Sequence, residues 1–145
     1  MNVAFFLTPK RDVHWLSTSA TFGEAVRELE RHGHSAVPVL DREGRYVRTL
    51  TEGDLLRYAC DAGVVPTGAT VSGVPLVEVP SRRAQATVRI DVDVETLLRV
   101  AAEQSFVPVE DDRGAFVGIV RRRAILTRCA DLLERPAARR WIRPT

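Results

Sequence analysis

Two short stretches carry the residue types best suited to chemistry, and they occupy the same place in two copies of one sequence. Thr51-Glu-Gly-Asp54 offers a hydroxyl and a carboxylate at the spacing of a capped helix start. Arg121-Arg-Arg-Ala124 stands seventy residues further on and offers three guanidinium groups and no acceptor. At a helix start, arginines can give charge-assisted, bidentate bonds to phosphate. Successive helical residues point in different directions, so at most two of the three should reach one ligand. Each stretch also has a plainer reading. For Asp54 it is a plain helix cap, and for the arginines a solvated basic turn.

The elements that must position these residues come from an internal repeat. An offset of seventy pairs Ser35 with Ser105, Val37 with Val107, Pro38 with Pro108, Val39 with Val109, Asp41 with Asp111, Gly44 with Gly114, Val47 with Val117 and Leu56 with Leu126. Within each copy the hydrophobic period changes twice. Phe22, Ala25, Val26 and Leu29 share one helical face, with Thr21 as N-cap, Glu24 at the capping-box position and Gly33 as the stop. Ala36-Val-Pro-Val-Leu40 reads as a strand, Asp41 to Gly44 as a turn, Tyr46 to Leu50 as the returning strand, and Thr51 to Cys60 as a second helix. The second copy reads as a helix over 93–103, a strand at 107–109, a turn at 111–114, a strand over 115–120 and a helix over 124–129. Lead-in strands are expected at Val13–Leu16 and Ala86–Ile90, and a short helix at Thr70–Val74 in the joining segment. The expected organisation is repeat one at 1–62, linker and lead-in at 63–85, repeat two at 86–132 and a basic tail at 133–145. One such unit buries a single face of its sheet. Two units stacked through their sheets bury both, so the fold class is α+β, a pseudo-twofold pair of β-α-β-β-α repeats.

Composition narrows the function. The chain has 145 residues, 45% hydrophobic and 28% charged, with a formal net charge of +2, too small for wholesale nucleic-acid binding. Lys10 is the single lysine. The arginine bias reflects either genome composition or phosphate recognition. Cys60 and Cys129 lie at matching positions and read as small helical residues, neither a disulfide nor a metal pair. His14, His32 and His34 are too few to complete a common metal site without a further ligand, so no metal is expected. Phe5-Phe-Leu7 is far too short for a signal h-region and no segment approaches membrane-spanning length, so the expectation is a cytoplasmic protein. Ser17 and Ser19 lie near His14, but nothing activates them, and no catalytic constellation is expected.

The order helix, Val-Pro-Val with an aspartate, turn glycine, Phe116-Val-Gly-Ile-Val120 and the Thr51-x-x-Asp54 helix start resembles the CBS motif. Two in tandem resemble a CBS pair, or Bateman module, over roughly residues 5 to 130, and the expectation is a stand-alone CBS-pair protein. Residues 70–80 with 116–126 are similar to small bacterial CBS-pair proteins that include binders of cyclic di-AMP. The resemblance implies a regulatory module holding an adenine nucleotide (AMP, ADP, ATP or cyclic di-AMP) in clefts between the repeats, and a homodimer.

The resemblance also implies that each cleft takes its threonine and aspartate from one repeat and its base-packing strand from the other. Cleft one would use Thr51 and Asp54, facing Phe106, Val107 and Pro108. An aspartate there can accept from two ribose hydroxyls. Cleft two would use Arg121, Arg122 and Arg123, facing Ala36, Val37 and Pro38 with Thr18 nearby. Ala124 cannot read a ribose, so a ligand richer in phosphate fits better, such as a cyclic dinucleotide with esterified 3′-oxygens. His34 could meet a phosphate at the cleft mouth or lie in a surface loop. Arg48 stands where the second copy has Gly118, and it or Phe106 could fill a cleft.

Two other classes of function stay open at this point. One is a ligand-free dimerisation or protein-interaction module with an effector the sequence does not name. The weaker is nucleic-acid contact through the basic tail, Arg135 to Arg143, whose Trp141 and Ile142 more readily dock on the body or on a second subunit.

Overall fold

The computed structural model describes residues 2–63 and 73–134. In chain order the elements are β1 (Leu7–Pro9), β2 (Leu16–Ser17), α1 (Phe22–His32), β3 (Ala36–Leu40), β4 (Tyr46–Thr51), α2 (Glu52–Asp61), β5 (Val88–Arg89), α3 (Val94–Glu103), β6 (Phe106–Glu110), β7 (Phe116–Arg121) and α4 (Arg122–Glu134). Most of the tail and the expected helix start at Thr70 fall outside the described residues.

The local signals act as the sequence implies. Thr21 caps α1 by accepting from Glu24 N, and Gly33 closes it with φ 63°. Asp93 caps α3 by accepting from Thr96 N. In the turns, Asp41 Oδ1 accepts from Glu43 N and Arg45 N, and Asp111 Oδ1 accepts from Arg113 N and Ala115 N. Gly44 and Gly114 hold φ of 77° and 82°, a region costly for any side chain. The lead-in strands are shorter than expected, with two residues each. The last helix starts two residues earlier than expected and runs further, to Glu134.

The hairpins β3–β4 and β6–β7 have matching registers. Ala36 pairs with Thr51 as Phe106 pairs with Arg121, and each hairpin slips at one residue, between Val39 and Leu40 and between Val109 and Glu110. β2 and β5 add in parallel to β3 and β6, each joined to its neighbour by a helix. The result is a three-stranded sheet β2-β3-β4 and a four-stranded sheet β1-β7-β6-β5.

The fourth strand crosses between repeats. β1 lies in the opening stretch of repeat one yet pairs antiparallel with β7 of repeat two. The segment before repeat two makes the reverse move: Leu76 and Val79 are buried in the core of repeat one, as Val3 and Phe6 are in that of repeat two. The exchange is unequal, and the two copies differ at the position where β1 meets β7. At Gly118 an added Cβ would lie 2.2 Å from Thr8 O, so only glycine admits β1. Arg48 fills the matching position on β4, and its guanidinium donates to Val79 O instead.

A third apolar cluster of Val13, Leu40, Phe106, Phe116 and Ile119 joins the two sheets. Phe116 N also donates to Gly44 O across the repeats at 3.1 Å. Leu40, Leu50 and Leu97 are fully buried, each worth about 1.5–3 kcal/mol relative to exposure. No helix among the described residues is long and apolar enough to cross a membrane.

Candidate functional site

The strands of the two hairpins end side by side, and a cleft opens where β4 and β7 pass into helices. Its cavity, about 280 Å³, is lined by His34, Ser35, Ala36, Ser105, Phe106, Arg121, Arg122 and Arg123. Ser35 and Ala36 come from the start of β3; Ser105 and Phe106 are their counterparts at the start of β6. The cleft therefore lies between the repeats, but only one helix start, that of α4, faces it.

That start is strongly basic. α4 has no acidic residue in its first turn, and Arg121 to Arg123 surround its N-terminal end. The helix macrodipole places positive potential there, so three cations are unfavourable unless an anion joins them. Arg122 is already committed: its Nε donates to Ala101 O and its Nη2 to Ala102 O, both at 2.7 Å. Arg122 thus satisfies the carbonyl end of α3. The guanidinium groups of Arg121 and Arg123 have no hydrogen-bond or ion-pair partner among the described residues. Burial first, then the charge of Arg121 and the neighbouring His14 and His32, hold the His34 imidazole below its ordinary pKa. Its neutral ring can donate through one nitrogen and accept through the other.

Phe106 is 7% exposed and forms the aromatic wall. Its place is set by Gln104, which closes α3. Gln104 Nε2 donates to Phe106 O and to Ala86 O, both at 3.0 Å, and its Oε1 accepts from Ala86 N. One buried amide thereby ties the end of α3 to the lead-in of β5 and the start of β6.

The start of α2 is built in the opposite way. Thr51 Oγ1 accepts from Asp54 N and Asp54 Oδ2 accepts from Thr51 N, each at 3.1 Å, a complete capping box. The same carboxylate meets Arg48 Nη2 at 3.5 Å, and its Oδ1 accepts from Arg82 N at 3.3 Å. Asp54 is 5% exposed. Both of its oxygens are engaged within the chain.

The sequence model of the CBS domain matches residues 6–61 and again 71–131. The chain belongs to the CBS-domain family. An uncharacterised protein of Chlamydia muridarum (strain MoPn / Nigg) is 29% identical over 104 residues, 72% of this chain; the match spans only 29% of that relative's length. CbpB, solved in complex with c-di-AMP, is 23% identical with a TM-score of 0.78, covering 92% of this chain and 87% of that one. CBSX2, solved in complex with AMP, is 25% identical with a TM-score of 0.67, covering 92% of this chain and 98% of that one.

Within this CBS pair the cleft brings together Ala36, Phe106, Arg121, Arg122 and Arg123 of the twelve residues the sequence singles out. Val37, Pro38, Val107 and Pro108 lie next to them but are buried in their strands. Thr18 is half-buried and donates its backbone N–H to Leu40 O, outside the cleft lining. Thr51 and Asp54 are not in the lining either, and Phe106, expected opposite them, faces the arginines. Ser35 and Ser105 join the lining without having been picked as site residues. Their identity at matching repeat positions was the available signal.

Proposed function

We propose that this CBS pair is a non-catalytic regulatory module that binds an adenine nucleotide in the cleft at the start of α4. The reading rests on one observation: three arginines crowd the positive end of a helix inside an inter-repeat cleft. An anion there relieves the mutual repulsion and gains charge-assisted bonds from Arg121 and Arg123. The base would pack against Phe106, with His34 and the two serines as polar partners. The relatives solved with c-di-AMP and AMP support the ligand class.

The cavity of about 280 Å³ is at the lower edge of the range ligand sites usually span, about 300–1,000 Å³. It suits one phosphate and its nucleoside better than an extended polyphosphate chain. With Ala124 in place of an aspartate, no carboxylate at this helix start reads a ribose diol. A cyclic dinucleotide, which has no free 3′-hydroxyl, therefore loses little here; cyclic di-AMP is the ligand we favour over AMP, with one phosphate and nucleoside in the cavity and the other half outside it.

The homodimer belongs to the same reading. Apolar grooves run between α1 and α2 (about 530 Å³, with Val26, Leu55, Leu56 and Ala59) and between α3 and α4 (about 260 Å³, with Leu98, Ile125 and Leu126). They occupy matching faces of the two repeats, as expected if a second copy covers both. A dimer with no nucleotide is the competing reading, and these grooves are what favour it.

Isothermal titration calorimetry with AMP, ATP and cyclic di-AMP tests the proposal. Binding at micromolar concentration that is lost in Arg121→Ala/Arg123→Ala supports it. Absence of binding by every nucleotide up to millimolar concentration leaves the interaction module. Light scattering of Leu56→Asp and Leu126→Asp reports the dimer separately, with a shift to monomer expected.

A further inference from the structure

All three histidines of the chain converge on one spot, although they come from two separate stretches of sequence. The ring centres of His14 and His32 are 3.5 Å apart, and His34 lies 5.5 Å from His14 and 6.0 Å from His32. The ligand His lacks in sequence is supplied by α1. Glu28 and His32 are four residues apart on that helix and so share a face. His32 Nε2 is 3.5 Å from Glu28 Oε2.

We propose that His14, Glu28 and His32 bind a divalent transition-metal ion of the zinc class. Their donor atoms all lie within 4.8 Å of one another. Around a tetrahedral zinc ion with bonds of about 2.0–2.1 Å, neighbouring donors are about 3.3 Å apart. The His32–Glu28 pair already has that spacing. His14 is exposed and sits between a 3-10 turn and β2, so a rotation of its side chain closes the remainder. Imidazole and carboxylate donors suit zinc, copper and nickel rather than magnesium or calcium. His32 and Glu28 are both partly buried, with side chains 25% and 26% exposed, which favours a held ion over loose surface association. Two imidazoles on one ion have ring centres about 5 Å apart, so the His14 and His32 rings, now 3.5 Å apart, separate as the exposed His14 side chain turns onto the ion.

The site is distinct from the nucleotide cleft but adjoins it, because His34 borders both. The metal claim does not depend on the nucleotide reading, and its test uses no nucleotide. The full chain, stripped with a chelator and dialysed, is titrated with zinc by calorimetry and with cobalt(II) by visible absorption. The expected result is one equivalent bound, with the ligand-field bands of a four-coordinate cobalt(II) ion. Loss of an outer partner of a metal ligand typically weakens binding about 10–100-fold. Removing a ligand itself in His14→Ala, Glu28→Gln or His32→Ala should cost at least as much. A thermal melt of each metal-free variant checks that it is folded. Cys60→Ser/Cys129→Ser should keep the full equivalent, because both thiols are exposed elsewhere. No zinc uptake by the wild type at 100-fold excess overturns the proposal. So does uptake that survives His14→Ala and His32→Ala, or that disappears with the cysteines.

Discussion

The starts of α2 and α4 occupy one position in a duplicated chain and solve the problem of a helix terminus in opposite ways. At α2 the orphan amides and the positive dipole are satisfied from within, by Thr51, Glu52 and Asp54. The carboxylate of Asp54 also receives Arg48 and the Arg82 amide, so this end is closed. At α4 the cap and the acid are gone, and Arg121 and Arg123 add charge of the wrong sign for the helix. The first terminus is satisfied by the chain's own groups; the second, on the function proposed above, takes an external anion. On that proposed function, an intact motif need not be the working one. Thr-x-x-Asp survives where the chain uses it for itself.

A second pair of positions explains why the closed end closed. Gly118 admits β1 against β7, whereas Arg48 holds the matching position on β4 and turns its guanidinium towards Val79 and Asp54. The four-stranded sheet requires glycine at this position, and the three-stranded sheet carries arginine there. That arginine also engages Asp54.

The comparison can be broken at each of these points. The largest effect is expected for Asp54→Ala. Breaking a buried ion pair costs about 3–5 kcal/mol. The Arg48 side chain is 18% exposed and can find water, so about 2–3 kcal/mol is expected, read as a fall in Tm. Asp54→Ala/Arg48→Ala should recover part of that loss, and additivity of the two single changes would argue against the coupling.

Next comes Arg121→Ala/Arg123→Ala. Each hydrogen bond to a charged group is worth about 1.5–3 kcal/mol, so nucleotide affinity should fall at least about tenfold while Tm holds or rises. Raising the salt concentration should weaken wild-type binding in the same direction. Arg122→Ala is predicted to differ from its neighbours. It uncovers the Ala101 and Ala102 carbonyls and should lower Tm by more than it lowers affinity.

The smallest effect, and the sharpest for the comparison, is the transplant Arg121→Thr/Ala124→Asp. It writes the α2 solution onto α4. A cap is worth about 1 kcal/mol, so thermal stability should rise modestly as anion binding is lost. A transplant that binds AMP more tightly than the wild type would restore ribose reading as the function of the motif.

The repeat made the hairpins, the turns and the helix caps legible from sequence, because each depends on contacts within about twenty residues. Asp41, Gly44 and Thr51 have counterparts or marked departures at a fixed offset, and the structure uses all three as local signals. The exchange of lead-in segments was not legible. Three-residue β1 has no period of its own, and its partner β7 lies more than a hundred residues away. The site divides in the same way. Three adjacent arginines were visible as a basic helix start, but the removal of Arg122 from service was not, since it depends on where α3 ends in space. Glu28 is an ordinary helix glutamate in sequence, and only the packing of α1 beside His14 gives it a second role.

The central claim is that the open terminus binds and the closed one does not. Calorimetric titration of cyclic di-AMP into the wild type, Arg121→Ala/Arg123→Ala and Asp54→Asn tests it most directly. Asp54→Asn keeps the shape of the cap while removing its charge. The account predicts binding by the wild type and by Asp54→Asn, and its loss in the arginine variant. Binding that is lost in Asp54→Asn and kept in Arg121→Ala/Arg123→Ala would contradict it.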